Sequence, residues 1–260
     1  MPPVALTIAG SDPSGGAGIQ ADLKTFHRFG VYGEAVITLI TVQNSVRCSR
    51  VEVLPPVLVA QQIEAVVEDI PPAAAKTGAL GSADVVRTVA RAAAGFRFPL
   101  VVDPVMISKH GHALAGDDAV SALAAELLPL AALVTPNIPE AEALTGVAIA
   151  SPSDARRAAE ALAARGARAV LIKGGHLEGE PVDLLFDGAA FSEFTAPRVA
   201  TRHTHGTGCT YSAAITAQLA RGLPLREAVF SARKFIHQAI LTNPGLGHGS
   251  GPVNHFAEFS

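Results

Sequence analysis

Short apolar runs alternate regularly along the chain with longer segments whose apolar residues recur at helical spacing, and this alternation limits the folds that the chain can adopt. Residues 4–9 and 169–173 are examples of the short runs, and both are apolar almost throughout. Unbroken apolar strands of this kind are covered on both faces, as in parallel sheets between helices. The pattern therefore predicts an α/β fold assembled from strand–helix–strand units.

The predicted elements extend along the whole chain. Strands are predicted at residues 4–9, 34–42, 73–77, 100–102, 132–135 and 169–173, and a hairpin at 182–186 and 191–195. Helices are predicted at 19–29, 55–69, 83–94, 117–128, 154–165, 207–221 and 225–241. Because no Gly/Ser linker, charge block or internal repeat interrupts this series, we expect residues 1–260 to form a single domain.

Composition excludes several classes of protein. Hydrophobic residues make up 49% of the chain and charged residues 17%, which is too apolar for a disordered protein. Twenty Lys and Arg against 23 Asp and Glu leave no positive field to hold nucleic acid or an anionic membrane. We expect no signal peptide or membrane span, since the longest apolar run, 119–134, is interrupted by Glu126 and Pro129. Two cysteines are too few for a disulfide framework, so we expect a cytoplasmic protein.

The sharpest local motif is residues 203–210, His-Thr-His-Gly-Thr-Gly-Cys-Thr, a glycine-spaced turn directly before a predicted helix. Gly206 and Gly208 let the backbone approach a ligand, and the free N–H groups of a helix start carry the positive end of its dipole. The turn therefore predicts a hole for an anion. Cys209 lies in the same turn, where a helix N-terminus favours the thiolate, so it is a candidate base or nucleophile.

Two other interpretations of this turn stay open. Cys209 can be an inert thiol beside a helix start. His203, His205 and Cys209 can instead hold a metal, although three ligands without a paired-cysteine spacing form a weak metal pattern. The residues alone do not decide among a base, an inert thiol and a metal ligand.

Other polar residues follow the predicted strands, whose carboxyl ends border one crevice in a parallel sheet. Asn137 and Glu140 stand one turn apart after the strand at 132–135, an arrangement that suits either Mg²⁺ or a capping box at a helix start. Asp103 and Lys173 also follow strands, and each is either a strand-ending residue or a group close to phosphates.

The first loop, residues 10–18, is rich in glycine but matches neither standard phosphate loop. A Walker A motif ends in Gly-Lys-Ser/Thr, whereas Gly16 is followed by Ala17, and the dinucleotide pattern lacks its third small position. Asp22, one turn into the next helix, either stabilises the helix dipole at the surface or reaches back into the crevice.

Six motifs, in order, resemble those of the ribokinase-like kinases, and within them the hydroxymethylpyrimidine/phosphomethylpyrimidine kinases of thiamin biosynthesis. They are IAGSDPSGGAGIQAD (8–22), TVQN (41–44), VDPVM (102–106), TPNIPEAE (135–142), IKGGH (172–176) and THGTGCT (204–210). The resemblance implies a three-layer α/β/α ribokinase-like fold with a central, mainly parallel sheet, a homodimer, and ATP and Mg²⁺ as co-substrate and cofactor. It also implies phosphorylation of 4-amino-5-hydroxymethyl-2-methylpyrimidine and then of its monophosphate, giving the diphosphate.

The same resemblance assigns roles to individual residues. The pyrimidine is expected to contact Gln43, Asp22 and the backbone of Gly10. The hole for the transferring phosphoryl group is expected to consist of Gly206, Thr207 and Gly208, with Cys209 as the general base. The nucleotide is expected to contact Lys173 and Asn137, and Mg²⁺ is expected to be held by Glu140 and Asp103.

Two positions depart from the family pattern. Ala79 stands where the pattern has a methionine against the pyrimidine ring, which leaves room for pyridoxal, and His203 replaces the usual Asn or Asp.

Three alternative functions stay open. They are a pyridoxal/pyridoxine kinase of the same fold, a hydrolase with Cys209 as nucleophile and His205 as its base, and a non-catalytic pyrimidine-binding module.

Overall fold

The computed structural model describes residues 1–106, 116–176 and 180–258. Within these ranges, nine strands form one sheet in the order β3-β2-β1-β4-β5-β6-β7-β8-β9. The strands are β1 Val4–Ser11, β2 Tyr32–Gln43, β3 Cys48–Val53, β4 Ala74–Thr77, β5 Leu100–Val102, β6 Leu133–Val134, β7 Val170–Ile172, β8 Val182–Phe186 and β9 Phe191–Thr195. Six central strands are parallel to one another; in sheet order they are β2, β1, β4, β5, β6 and β7. At one edge β3 pairs antiparallel with β2, and at the other edge β8 and β9 continue the sheet in antiparallel pairing.

Helices cover both faces of this sheet and create two cores. They are α1 Gly18–Arg28, α2 Pro56–Asp69, α3 Ala83–Ala93, α4 Asp117–Ala122, α5 Ile138–Thr145, α6 Pro152–Ala164, α7 Thr207–Ala220 and α8 Leu225–Leu241. Residues of α2 to α6 pack in one core and residues of α1, α7 and α8 in the other. Successive strand residues point to opposite cores, as Val101 and Val102 of β5 do. The predicted three-layer architecture is therefore confirmed.

Two elements differ from the prediction. β3 was not predicted, because four of its six residues are exposed and three of those four are polar. Pairing with β2 rather than burial holds this edge strand in place. The helix predicted at 117–128 ends at Ala122 and continues as a π-helical turn, Leu123–Leu127, and a 3₁₀ turn, Leu128–Leu130. Pro129 lies in that last turn, where its missing N–H prevents a regular α-helical continuation.

The order of the strands places the site. β1 lies between β2 and β4, so the connections that leave the first strands turn to opposite sides of the sheet. Such a switch point opens a crevice beyond the carboxyl ends of the strands. In the described residues, no helix has both the length and the apolar character required to cross a membrane.

Candidate active site

A cavity of about 520 Å³ lies beyond the carboxyl ends of the parallel strands. Eleven residues highlighted by the sequence line it together: Gly10, Gln43, Ala79, Asp103, Asn137, Glu140, Lys173, Gly206, Thr207, Gly208 and Cys209. The crevice therefore extends from the end of β2, which carries Gln43, to the residue after β7, Lys173. The predicted convergence of these loops is present in the structure.

The glycine-spaced turn forms the start of α7, which packs against β4, β1 and β5. Gly206 is the N-cap residue with φ +76°, and a Cβ there would collide with the backbone oxygen of Gly16. Only glycine fits at this position, because the first loop and the helix start approach each other so closely. No side-chain hydrogen bond caps α7, and its first residues line the cavity, an arrangement that suits an anion hole at a helix start. The Thr207 hydroxyl donates to the backbone oxygen of Thr204 at 2.8 Å and fixes the turn.

Asp12 joins the first loop to the turn before α7, a role that the sequence analysis missed. His205 Nε2 lies 2.8 Å from Asp12 Oδ2, and the backbone N–H of Ala17 donates to the same oxygen at 2.9 Å. Burial raises the pKa of Asp12, but the contacts with His205 and Ser14 outweigh burial and lower it overall. Asp12 therefore stays ionised and holds the loop in place.

The structure does not support a metal held by His203, His205 and Cys209. His205 Nε2 is bound to Asp12, and His203 Nδ1 accepts a hydrogen bond from the Gly251 N–H at 3.2 Å. Among the described residues, no group of three or more His, Cys, Asp and Glu has a metal-binding arrangement.

Lys173 lies between two buried carboxylates, that of Asp103 directly after β5 and that of Glu140 in the first turn of α5. Its Nζ is 2.9 Å from Asp103 Oδ1 and 4.0 Å from Glu140 Oε2. Burial raises the pKa of Asp103, and the ammonium groups of Lys173 and Lys76 more than reverse that effect, so Asp103 is ionised. Lys173 keeps its charge, because the attraction of both carboxylates outweighs its burial and raises its pKa.

Asn137 and Glu140 form a capping box, the structural interpretation that the sequence left open. Asn137 Oδ1 accepts the Glu140 N–H at 2.9 Å, and Glu140 Oε2 accepts the Asn137 N–H at 2.8 Å. Burial and the charge of Asp103 raise the pKa of Glu140 to about 7, against the opposing effect of Lys173. The buried carboxylates of Asp103 and Glu140 repel each other, and a hard divalent cation between them would offset this repulsion and favour the ionised form of Glu140. The residues present therefore fit Mg²⁺, and the capping box does not exclude it.

Cys209 receives a hydrogen bond from the backbone N–H of Gly18, the first residue of α1. Burial raises the pKa of its thiol to about 11, although Lys76 acts in the opposite direction. The expectation that the helix start favours the thiolate is therefore wrong, because loss of hydration outweighs the dipole. At neutral pH the group is a thiol.

The structure also corrects the placement of Asp22, which is not among the described residues that line the cavity. Its side chain is fully buried, and both carboxylate oxygens bind Lys76 Nζ, at 2.9 and 2.8 Å. Thr7 donates its hydroxyl to Asp22 Oδ2 at 2.6 Å. Any influence of Asp22 on the cavity is therefore indirect. Lys76 was not singled out from the sequence, although a lysine inside a short apolar strand was the signal available.

Gln43, the last residue of β2, and Ala79, just after β4, lie at the opposite side of the crevice from Lys173. No hydrogen bond joins the Gln43 side-chain amide to another described residue, so its donor and acceptor are available to a ligand. Thr38 donates its hydroxyl to the Ala79 backbone oxygen at 2.6 Å, which fixes the position of the Ala79 methyl in the wall.

Comparison with known proteins decides the family. A model of the family described as phosphomethylpyrimidine kinase matches residues 12–254. The chain belongs to this family. Hydroxymethylpyrimidine/phosphomethylpyrimidine kinase of Bacillus subtilis is 48% identical, over 97% of this chain and 94% of that protein. Thiamine biosynthesis bifunctional protein ThiED of Geobacter sulfurreducens is 52% identical over 96% of this chain, which spans only about half of that longer protein, 51%.

Solved structures agree with this family. Phosphomethylpyrimidine kinase of Clostridium difficile superposes with a TM-score of 0.82 at 46% identity, covering 92% of this chain and 99% of that one. Pyridoxal kinase of Staphylococcus aureus in complex with AMP-PCP and pyridoxal superposes with a TM-score of 0.92 at 37% identity, covering 99% and 94%. The predicted ribokinase-like fold and phosphotransferase class are confirmed, and the hydrolase alternative is set aside.

Proposed function

We propose that the protein transfers the γ-phosphoryl group of ATP to the hydroxymethyl oxygen of 4-amino-5-hydroxymethyl-2-methylpyrimidine, and then to the phosphate of that product. The observation that carries this proposal is that one cavity brings together the uncapped start of α7, the Lys173 cluster and the side-chain amide of Gln43. The family and its kinase relatives support the same assignment. A silent binding module would not need a cation cluster beside an anion hole.

The phosphate side of the cavity lies over β5 to β7. Lys173 and Asn137 would contact the nucleotide phosphates, and the start of α7 from Gly206 to Gly208 would hold the transferring group. Glu140 and Asp103 would hold Mg²⁺, which supplies neutralisation of phosphate charge when bound. These groups act through position and charge, as phosphoryl transfer requires.

The pyrimidine side lies over β2, β1 and β4. The hydroxymethyl oxygen attacks the γ-phosphorus, the bond from that phosphorus to the bridging oxygen of ADP breaks, and Cys209 accepts the hydroxyl proton as a thiolate. In the second step the attacking phosphate oxygen already carries negative charge and needs no base. The family assignment of Cys209 and its place in the cavity wall support this role.

Gln43→Ala is expected to weaken pyrimidine binding by about 1 to 3 kcal/mol and to leave ATP affinity nearly unchanged, because the polar ring atoms lose a buried partner. Titration calorimetry with each ligand separately measures both affinities. Gln62→Ala is a matched control, since that amide binds the Ile37 backbone outside the cavity. Equal losses for the pyrimidine and ATP would contradict the role of Gln43.

Pyridoxal is a second candidate substrate, favoured by the small side chain at position 79. The similar Staphylococcus aureus kinase has been solved with pyridoxal. Ala79→Met is expected to lower kcat/KM for pyridoxal by about tenfold or more while sparing the smaller pyrimidine ring, because added volume in a packed pocket is costly. Steady-state kinetics on both substrates test this, and a parallel loss on both would remove Ala79 from the basis of selectivity.

We also propose that residues 1–260 act as a single domain that pairs into a homodimer in the cytoplasm. Ile40 and Val42 are 46% and 53% exposed on one face of β2, and paired apolar side chains of this kind favour a second copy. Light scattering is expected to give twice the chain mass of 26.6 kDa, and Ile40→Asp with Val42→Asp is expected to give the monomer. A wild-type monomer would contradict the dimer.

A further inference from the structure

A fully buried ion pair lies between the sheet and α1. Lys76 of β4 and Asp22 of α1 are both 0% exposed, and so is Thr7 of β1, whose hydroxyl donates to Asp22. Removing two charges from water carries a large desolvation cost, and such a pair often stabilises a fold no better than apolar residues of similar volume. A role of the Lys76–Asp22 pair in the chemistry of the neighbouring active-site cavity would account for its burial at this position.

The pair lies on β4 and α1, and both of these elements pack against α7, the helix whose first turn carries Cys209. A Cβ on Gly78, the residue before the cavity-lining Ala79, would be 3.7 Å from Lys76 Nζ. The ammonium therefore reaches the carboxyl end of β4. On the other side, Asp22 is one helical turn below Gly18, whose N–H points at the Cys209 sulfur.

We propose that Lys76, held in place by Asp22 and Thr7, is a positioning residue that supplies the counter-charge for the thiolate of Cys209. The inference rests on the proposed kinase function and adds a residue to it. Proton transfer from the hydroxymethyl group to sulfur requires a thiolate, and a fixed buried cation stabilises it more effectively than solvent does. Asp22 keeps Lys76 charged and immobile.

Several charged groups face Cys209 from different elements. Lys76 of β4 lowers the pKa of the thiol, and Asp22 of α1 and Asp103 after β5 raise it. Lys173 after β7 is a second cation that interacts with the same sulfur. Removing Lys76 should therefore raise the pKa of the thiol. Removing Asp22 should raise it too, because a buried ammonium without its carboxylate loses its proton and with it the counter-charge. Loosened packing alone would instead expose the thiol and accelerate its reaction.

The test measures the rate of iodoacetamide alkylation against pH in the full chain without substrate. Cys48→Ser leaves Cys209 as the remaining cysteine, since the sequence has two. Lys76→Met is expected to slow alkylation at pH 9 by about tenfold or more, equivalent to one unit of thiol pKa. Asp22→Asn is expected to slow it as well, because the buried Lys76 is neutral at pH 9 without its carboxylate.

Thr7→Val is the matched control, because it removes a hydrogen bond of Asp22 without changing charge or size. It is expected to alter alkylation by less than about twofold, well below the tenfold effect of one pKa unit. The double variant Asp22→Asn with Lys76→Met leaves no unpaired buried charge, and its alkylation is expected to be slow, like that of Lys76→Met. Circular dichroism checks that each variant folds.

Unchanged or faster alkylation in Lys76→Met or in Asp22→Asn would overturn the proposal, and so would a Thr7→Val effect as large as that of Lys76→Met. A second readout is the kcat of Lys76→Met, which should fall further for the alcohol than for the monophosphate. Because alkylation needs neither ATP nor pyrimidine, slower alkylation of both variants in a protein without kinase activity would support the charge relation and contradict the proposed function.

Discussion

Cys209→Ala is expected to reduce kcat for the alcohol by about a hundredfold to ten-thousandfold, the usual contribution of a general base. The hydroxymethyl oxygen must lose a proton to form its bond to phosphorus, and the sulfur is the group placed to accept it. The second phosphorylation should lose less than about tenfold, since a phosphate oxygen is already ionised at pH 7 and depends on positioning. Measuring kcat on both substrates at saturating Mg-ATP compares the two steps.

A pH profile strengthens this test. Burial raises the pKa of Cys209 to about 11, so at neutral pH most of the protein carries the thiol. A base must be deprotonated, and kcat of the wild type on the alcohol should therefore rise with pH towards the pKa in the complex, whereas Cys209→Ala should lack that rise. Cys209→Ser is a control of similar size. Equal losses on both substrates would assign Cys209 to the anion hole instead of proton transfer.

Gly208→Val is expected to reduce both phosphorylations by about a thousandfold, because removal of an oxyanion-type hole has effects of this order. A Cβ at this position would lie 3.3 Å from Lys173 Nζ and 4.0 Å from Asp103 Oδ2, in the space between the start of α7 and the Lys173 cluster. The branched side chain of valine adds two methyl groups there. Both steps need the same space for the transferring group, so both should fail together.

The loss should not come from unfolding. Gly208 is within α7 and lacks the positive φ that makes Gly206 irreplaceable, so valine costs little in backbone strain. Gly95→Val, at an exposed turn far from the cavity lining, is the matched control for a glycine-to-valine change. A folded and fully active Gly208→Val enzyme would remove the anion hole from the mechanism.

Much of the site was predictable because its residues follow strands, and parallel strands end at one edge. The spacing of Gly206 and Gly208 before an apolar helix predicted the uncapped turn, and six family motifs assigned the roles around it. Two results depended on three-dimensional packing: the partner of Asp22 and the protonation state of Cys209. Asp22 could equally face solvent or the crevice, and only the approach of β4 to α1 shows that Lys76 takes both of its oxygens.

The state of Cys209 was not predictable from sequence for a related reason. Position at a helix start favours a thiolate, whereas the depth of burial, which opposes it, depends on how α1, β4 and α7 close around the sulfur. The edge strand β3 was missed because its exposed polar residues carry no apolar pattern, and its partner β2 defines it. Pairing and burial between distant segments are the information that a local pattern lacks.

The most direct measurement is ADP release from Mg-ATP with the hydroxymethylpyrimidine, its monophosphate and pyridoxal compared side by side in the wild-type protein. Turnover of both pyrimidines, with the monophosphate converted to the diphosphate, is the predicted result, and pyridoxal should be accepted as a poorer substrate. Turnover of pyridoxal alone would move the assignment to the vitamin B6 kinases. Absence of ADP release with all three would contradict a kinase function for this cavity.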